Sequence, residues 1–117
     1  MSRWIGVDFD QTLCHTNGTP IMPMVELVRS WLARGREVRI VTARVNSIDY
    51  SPEVVEEQRK LISDWCAMFL GQILQIQSCK SSGMIALFDD KAITVISDEG
   101  VVMDDRCAFC RLEKELR

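Results

Sequence analysis

The chain has no apolar run approaching the roughly 20 residues of a membrane span. It also lacks internal repeats, low-complexity tracts and any large excess of one charge. Its 14 basic and 17 acidic residues leave a net charge of -3, so a nucleic-acid-binding face built on bulk charge is not expected and any such contact must be local. Met1 to Trp4 lead into a short apolar strand carrying Asp8 and Asp10, which does not fit the apolar core of a signal peptide. His15 is the only histidine and falls in a turn segment, so exposure to solvent is expected and it is not assigned as a base. Five cysteines, an odd number without regular spacing, argue against a disulfide framework and for a reducing compartment. Cys107 and Cys110 have redox or zinc spacing but no second pair and no nearby His, and read as free thiols. A cytoplasmic protein without a membrane partner is expected.

What is present fits one globular domain over residues 1–117, with 47% hydrophobic and 26% charged residues. A chain of this length buries roughly two-thirds of its unfolded surface, enough for a core without disulfide or metal staples. Trp4 to Val7 reads as a buried strand delivering Asp8 and Asp10 at its end. Asn17-Gly18 marks a tight turn in a flap. Apolar residues at helical spacing from Pro23 to Arg34, stopped by Gly35, predict a first helix. Val38 to Thr42 is a second strand, and Arg44 to Tyr50 a loop. Ser51 and Pro52 start a second helix that Gly71 ends. Strands follow at Ile73 to Ile76, Met84 to Phe88 and Ile93 to Ile96, and a charged helix at Cys107 to Leu116. Alternating strands and helices imply right-handed crossovers. The expected fold class is α/β: a single Rossmann-like three-layer domain with a central, mainly parallel five-stranded sheet and no cap domain. The tryptophans Trp4, Trp31 and Trp65 are assigned to packing, and Gly6 to a close approach.

In such sheets functional groups gather at the carboxyl ends of the strands. Those ends carry Asp8 and Asp10, then Thr42, then Lys80, then Asp89 with Asp90. Asp8 and Asp10 are two apart, so in extended chain their side chains leave one face roughly 7 Å apart. Four carboxylates on one rim repel one another, and without a cation some would have to protonate. A hard divalent metal is implied, and oxygen-only ligands suit Mg2+ held by Asp8, Asp10, Asp89 and Asp90. Counting Mg2+ and Lys80, the site retains a formal charge of about -1, so a phosphate needs further donors. Thr42, Arg44 and backbone N–H groups are the candidates. The pattern suggests Asp8 as a carboxylate nucleophile toward phosphorus and Asp10 as the group that handles protons.

Val7-Asp8-Phe9-Asp10-Gln11-Thr12, Thr42 within Ile40-Val41-Thr42-Ala43-Arg44, Lys80, and Asp89-Asp90 after an apolar strand resemble, in order, the four motifs of the haloacid dehalogenase superfamily of phosphohydrolases. The resemblance spans the 83 residues from Asp8 to Asp90. It implies Asp8 as nucleophile and Asp10 as general acid and base, with the Asp10 backbone carbonyl a Mg2+ ligand. It further implies Thr42 and Lys80 on the phosphoryl group, Asp90 as the more direct metal ligand, and Asp89 behind it. Two positions depart from the pattern. Gln11 stands where most members have Gly, and Lys80 lacks the Pro often found beside it. Lys91 directly follows the carboxylates, so Lys80 is preferred on strand order.

Members of that superfamily usually carry a cap inserted after the first motif or between the third and fourth. Here 32 positions separate Asp10 from Thr42 and 9 separate Lys80 from Asp89, which leaves no room for one. The chain therefore resembles the capless branch, which includes the phosphatase domain of polynucleotide kinase-phosphatases. The function expected is Mg2+-dependent phosphomonoester hydrolysis, with a phosphorylated nucleic-acid end or nucleotide as substrate. Two alternatives stand beside it: a phosphoacceptor or binding module without turnover, and a small-metabolite phosphatase whose lid a partner subunit or second copy supplies. A two-component receiver domain is disfavoured by motif order, because its acidic pair comes first and its acceptor Asp lies on a middle strand.

Overall fold

The computed structural model of the chain describes residues 3–103. Four strands, β1 (Trp4–Val7), β2 (Glu37–Val41), β3 (Gln75–Gln77) and β4 (Met84–Phe88), form one sheet in the order β3-β2-β1-β4. All three pairings are parallel. Two helices connect them, α1 (Met22–Ala33) between β1 and β2, and α2 (Pro52–Phe69) between β2 and β3.

Local chemistry explains most of these boundaries. Pro23 lies in the first turn of α1, where a missing N–H costs nothing. The helix ends as Gly35 turns left-handed at φ 77° and Arg36 returns its N–H to the Trp31 carbonyl at 3.0 Å. Ser51 caps α2 by accepting the Val54 N–H, and Gly71, at φ 81°, stops it. The third strand begins two residues later and ends one residue later than the sequence expectation. Leu74 and Ile76 face the core, whereas Ile73 is 66% exposed and unpaired.

The crossovers β1-α1-β2 and β2-α2-β3 step across the sheet in the same direction, which for right-handed connections puts both helices on one face. Val25 and Val28 of α1 and Ile62, Trp65 and Cys66 of α2 accordingly share a core with Ile5, Val7, Val38, Ile40 and Ile76. Burying these side chains at about 1.5–3 kcal/mol each is the main stabilising term. Arg29 on α1 donates to the Phe69 carbonyl at the end of α2, tying the helices together.

The three-layer, five-stranded expectation is corrected in two respects among the described residues. Only residues 78–83 join β3 to β4, too short a link for a covering helix, and they cross the second face as a strap. Ser81 takes a hydrogen bond from Arg39, and the carbonyls of Ser82 and Gly83 accept from the Trp4 indole and backbone N–H groups. Beneath this strap Arg39 stacks on Trp4, 4.6 Å from the ring centroid. Gly6 allows a close approach here, since a Cβ would lie 3.1 Å from the Leu87 side chain and 3.2 Å from the Trp4 ring, and those side chains would have to give way. Ile93 to Ile96, expected as a fifth strand, instead folds back on its own continuation. Asp98 and Gly100 turn left-handed, Val95 bridges Val102 antiparallel, and Ile96 donates to Val101 at 2.7 Å. The turn satisfies locally the groups that a sheet partner would have taken. The helix expected at Cys107 to Leu116 lies outside the described residues. No helix of the described residues is long and apolar enough to cross a membrane.

Candidate active site

Register brings the acidic residues together. Val7 pairs with Phe88 on one side and Ile40 on the other, so the next residues of β1 and β4 emerge side by side. The Asp8 N–H donates to the Phe88 carbonyl at 2.9 Å, which fixes Asp8 beside Asp89 and Asp90. One carboxylate oxygen from each of the three lies within 4.8 Å of the others. The crowding shows in Asp8, whose pKa is pushed up to about 6, first by burial and then by the Asp89 charge, with Asp90 adding to it. Thr12, almost fully buried, donates its hydroxyl to Asp8 Oδ2 at 3.3 Å. Asp89 spends one oxygen on the Lys91 backbone N–H.

Three carboxylate oxygen donors at this spacing, one with its ionised form disfavoured by its neighbours, could hold a metal ion. The Asp10 carboxylate is not in this group. The chain turns after Phe9, whose carbonyl accepts from both Leu13 and Cys14, and the turn sends Asp10 toward β2. Arg44 meets it there with two bonds, Nε to Oδ2 at 2.9 Å and Nη2 to Oδ1 at 2.5 Å. The other guanidinium edge donates from Nη1 to Gln58 of α2 at 3.1 Å. Thr42 sets Arg44 in place, because its hydroxyl oxygen accepts the Arg44 N–H at 3.2 Å and starts the single 3-10 turn Ala43–Val45. The hydrogen bond to Asp10 raises the Arg44 pKa further, keeping the guanidinium charged.

No family model, curated protein or solved structure matches this chain. The case for a site rests on its own geometry.

The structure thus unites Asp8, Asp89 and Asp90, and separately Asp10 with Arg44 and Thr42. Lys80 is exposed in the strap and makes no hydrogen bond or ion pair with these carboxylates among the described residues. His15 is exposed in the flap, which Trp65 anchors by donating its indole N–H to the Gly18 carbonyl at 3.0 Å. Burial pushes the Cys14 thiol up and that of Cys66 up to about 11, so neither offers a thiolate nucleophile.

Three contacts went unread in the sequence: Thr12 on Asp8, Gln58 on Arg44, and the pairing of Arg44 with Asp10. The Arg44–Gln58 contact crosses 14 positions and the Arg44–Asp10 pair 34, and no periodicity reports such long-range pairs. Thr12 was legible in principle as a hydroxyl four residues past Asp8.

Gln11 follows Asp10 in the left-handed region at φ 63°, the conformation that favours glycine. Its N–H donates to the Cys14 carbonyl at 2.8 Å, so the turn forms at a backbone cost of about 1 kcal/mol. Gln11→Gly removes that cost while loosening the unfolded chain. A net gain of up to about 1 kcal/mol is expected, read as a higher urea midpoint; a lower midpoint would contradict this account of the turn.

Proposed function

We propose that this protein is a phosphomonoester hydrolase of the haloacid dehalogenase type, working through an aspartyl-phosphate on Asp8. The observation that carries the reading is the Asp8, Asp89 and Asp90 cluster at the sheet's carboxyl edge with Asp10 held beside it by Arg44. A carboxylate nucleophile and a separate proton carrier thereby stand two residues apart on the chain, at the strand end where Asp89 and Asp90 complete a set of carboxylates able to hold a cation.

In this reading an Asp8 oxygen attacks phosphorus and the bond from phosphorus to the leaving alcohol breaks. Asp10, whose two oxygens both accept from Arg44, gives up one of those bonds as it takes up a proton from solvent on substrate binding, and passes that proton to the departing oxygen; Arg44 then offsets the charge of the carboxylate left behind. Asp10 then takes a proton from the water that attacks the aspartyl-phosphate, releasing inorganic phosphate and the Asp8 carboxylate. Asp8, Asp89, Asp90 and the Asp10 carbonyl would hold Mg2+, which when bound offsets the carboxylate charge and polarises the phosphoryl oxygens. Thr42 accepts from Arg44 and so keeps its own hydroxyl hydrogen for a phosphoryl oxygen. Lys80 supplies the remaining positive charge on the substrate.

The rim is open, with Asp89, the tip of the flap and much of residues 46–50 exposed, which supports the end of a phosphorylated nucleic acid as substrate. The test is turnover of a phosphomonoester panel, including a 3'-phosphorylated oligonucleotide, sugar phosphates and mononucleotides, with and without Mg2+. Release of phosphate from none of them would overturn the assignment. Turnover of a small metabolite at about 10^5 M-1 s-1, with the oligonucleotide inert, would remove the polymer-end part of it.

Arg44 gives a separate check. Arg44→Met frees Asp10, and a loss of about 10- to 100-fold in kcat is expected from misplacing the proton carrier. Arg44→Lys recovers little of it, because an ammonium cannot make the two-point bond. Wild-type kcat in both variants would show that the pair does not position Asp10.

A further inference from the structure

Beside the Arg44–Asp10 pair lies a cavity of about 240 Å3 lined by Arg44, Tyr50, Val54 and Gln58. Tyr50, Val54 and Gln58 take no direct part in the phosphoryl chemistry, whereas Arg44 is shared with it. The cavity is smaller than the about 300–1,000 Å3 that a whole drug-sized ligand needs, so it fits one ring system of a larger molecule. Its walls are of three kinds. Tyr50 offers a phenol ring that is 46% exposed, close enough to Arg44 for its charge to be felt there. Val54, half-buried on the first turn of α2, gives an apolar wall. Gln58 accepts from Arg44 through its carbonyl oxygen, which orients the amide and leaves the NH2 group as a donor.

Building on the proposed hydrolase reading, we infer that this cavity is the leaving-group subsite and that it takes the nucleobase of a terminal nucleotide. Asp10 hands its proton to the leaving oxygen, and the Arg44 guanidinium both grips Asp10 and forms one wall of the cavity. Arg44 is the group that the cavity and the Asp10 pair share, so an alcohol departing at Asp10 leaves one guanidinium away from Tyr50 and Gln58, within reach of a ring attached to it. An aromatic face, an apolar wall and an amide donor suit a flat heteroaromatic ring with acceptors on its edge. Tyr50 and Gln58 lie on the rim loop and on α2, so the subsite stands on the same frame that holds Arg44.

The experiment compares kcat/KM for a nucleoside 3'-monophosphate with that for glycerol phosphate, in wild type and in Tyr50→Ala and Val54→Trp. Wild type is expected to favour the nucleotide by about tenfold or more, the scale of one stacked base. Each variant should shrink that ratio about tenfold, chiefly through KM for the nucleotide. A wild-type ratio near one, or a ratio that neither variant moves, overturns the subsite while leaving the hydrolase reading standing. If wild type hydrolyses neither compound, the hydrolase reading is decided by the wider panel and calorimetry with the intact nucleotide decides the subsite. Binding about tenfold weaker to Tyr50→Ala than to wild type supports it, and equal binding or none overturns it.

Discussion

Asp8→Asn is expected to abolish phosphate release, by about 1,000-fold or more, and at the same time to make the metal-free protein more stable at neutral pH. The two effects have one origin. The Asp8 pKa is pushed up to about 6 from an ordinary 3.8, chiefly by burial and by Asp89. A carboxyl whose folded-state value lies above its unfolded value favours folding while protonated and disfavours it once ionised. The penalty is absent below about pH 4, grows as the pH rises toward 6, and is full above it. A shift of that size corresponds to about 3 kcal/mol at most. Partial exposure reduces it to about 1 kcal/mol, or several degrees in Tm for a domain of this size. Asparagine carries no charge and escapes the penalty. The measurement is Tm in EDTA from pH 3.5 to 8 for both proteins, alongside turnover with Mg2+. Coincident curves at pH 8 would contradict the electrostatic account, and wild-type turnover in the variant would remove Asp8 as nucleophile.

Metal removal is the second large effect. Excess EDTA is expected to suppress turnover by about 1,000-fold or more, because an incoming phosphate dianion would otherwise meet three carboxylates within 4.8 Å of each other. Mg2+ at ten times its Kd should add about 1.4 kcal/mol to wild-type stability, and less to any variant that has lost a ligand. Asp90→Asn should weaken the response more than Asp89→Asn. Asp90 is half-buried and engages Asp8 directly, whereas Asp89 is exposed and already gives an oxygen to the Lys91 N–H. A thermal-shift titration of the three proteins reads this order without reference to any substrate. Undiminished turnover in EDTA would exclude a metal-dependent mechanism, and equal titrations would remove the distinction between the two residues.

Much of this architecture is written locally in the chain. The apolar runs of β1, β2 and β4, the Ser51 cap, the stops at Gly35 and Gly71 and the Asn17-Gly18 turn each act within a few residues. Asp8 and Asp89-Asp90 at the ends of two apolar strands were legible for the same reason, since a buried parallel strand announces its own end. The fifth strand was misread because Ile93 to Ile96 has strand composition, and composition does not say whether the partner is the sheet or the chain's own return after Gly100. Among the described residues no helix covers the second face: alternation of elements implies helices between strands, but only six residues link β3 to β4.

By itself, then, the sequence determined the strands β1, β2 and β4, the helices α1 and α2 with their stops, and which carboxylates stand at strand ends, because these depend on side-chain periodicity, capping and backbone preference. Tertiary structure alone decided how the carboxylates divide. Parallel register at Val7 and Phe88 drew Asp8 to Asp89 and Asp90, while the turn after Phe9 carried Asp10 away to Arg44, with Gln58 behind it. Coulomb energies and hydrogen bonds fall off over a few ångströms, and only the folded sheet brings residues 34 positions apart within that reach.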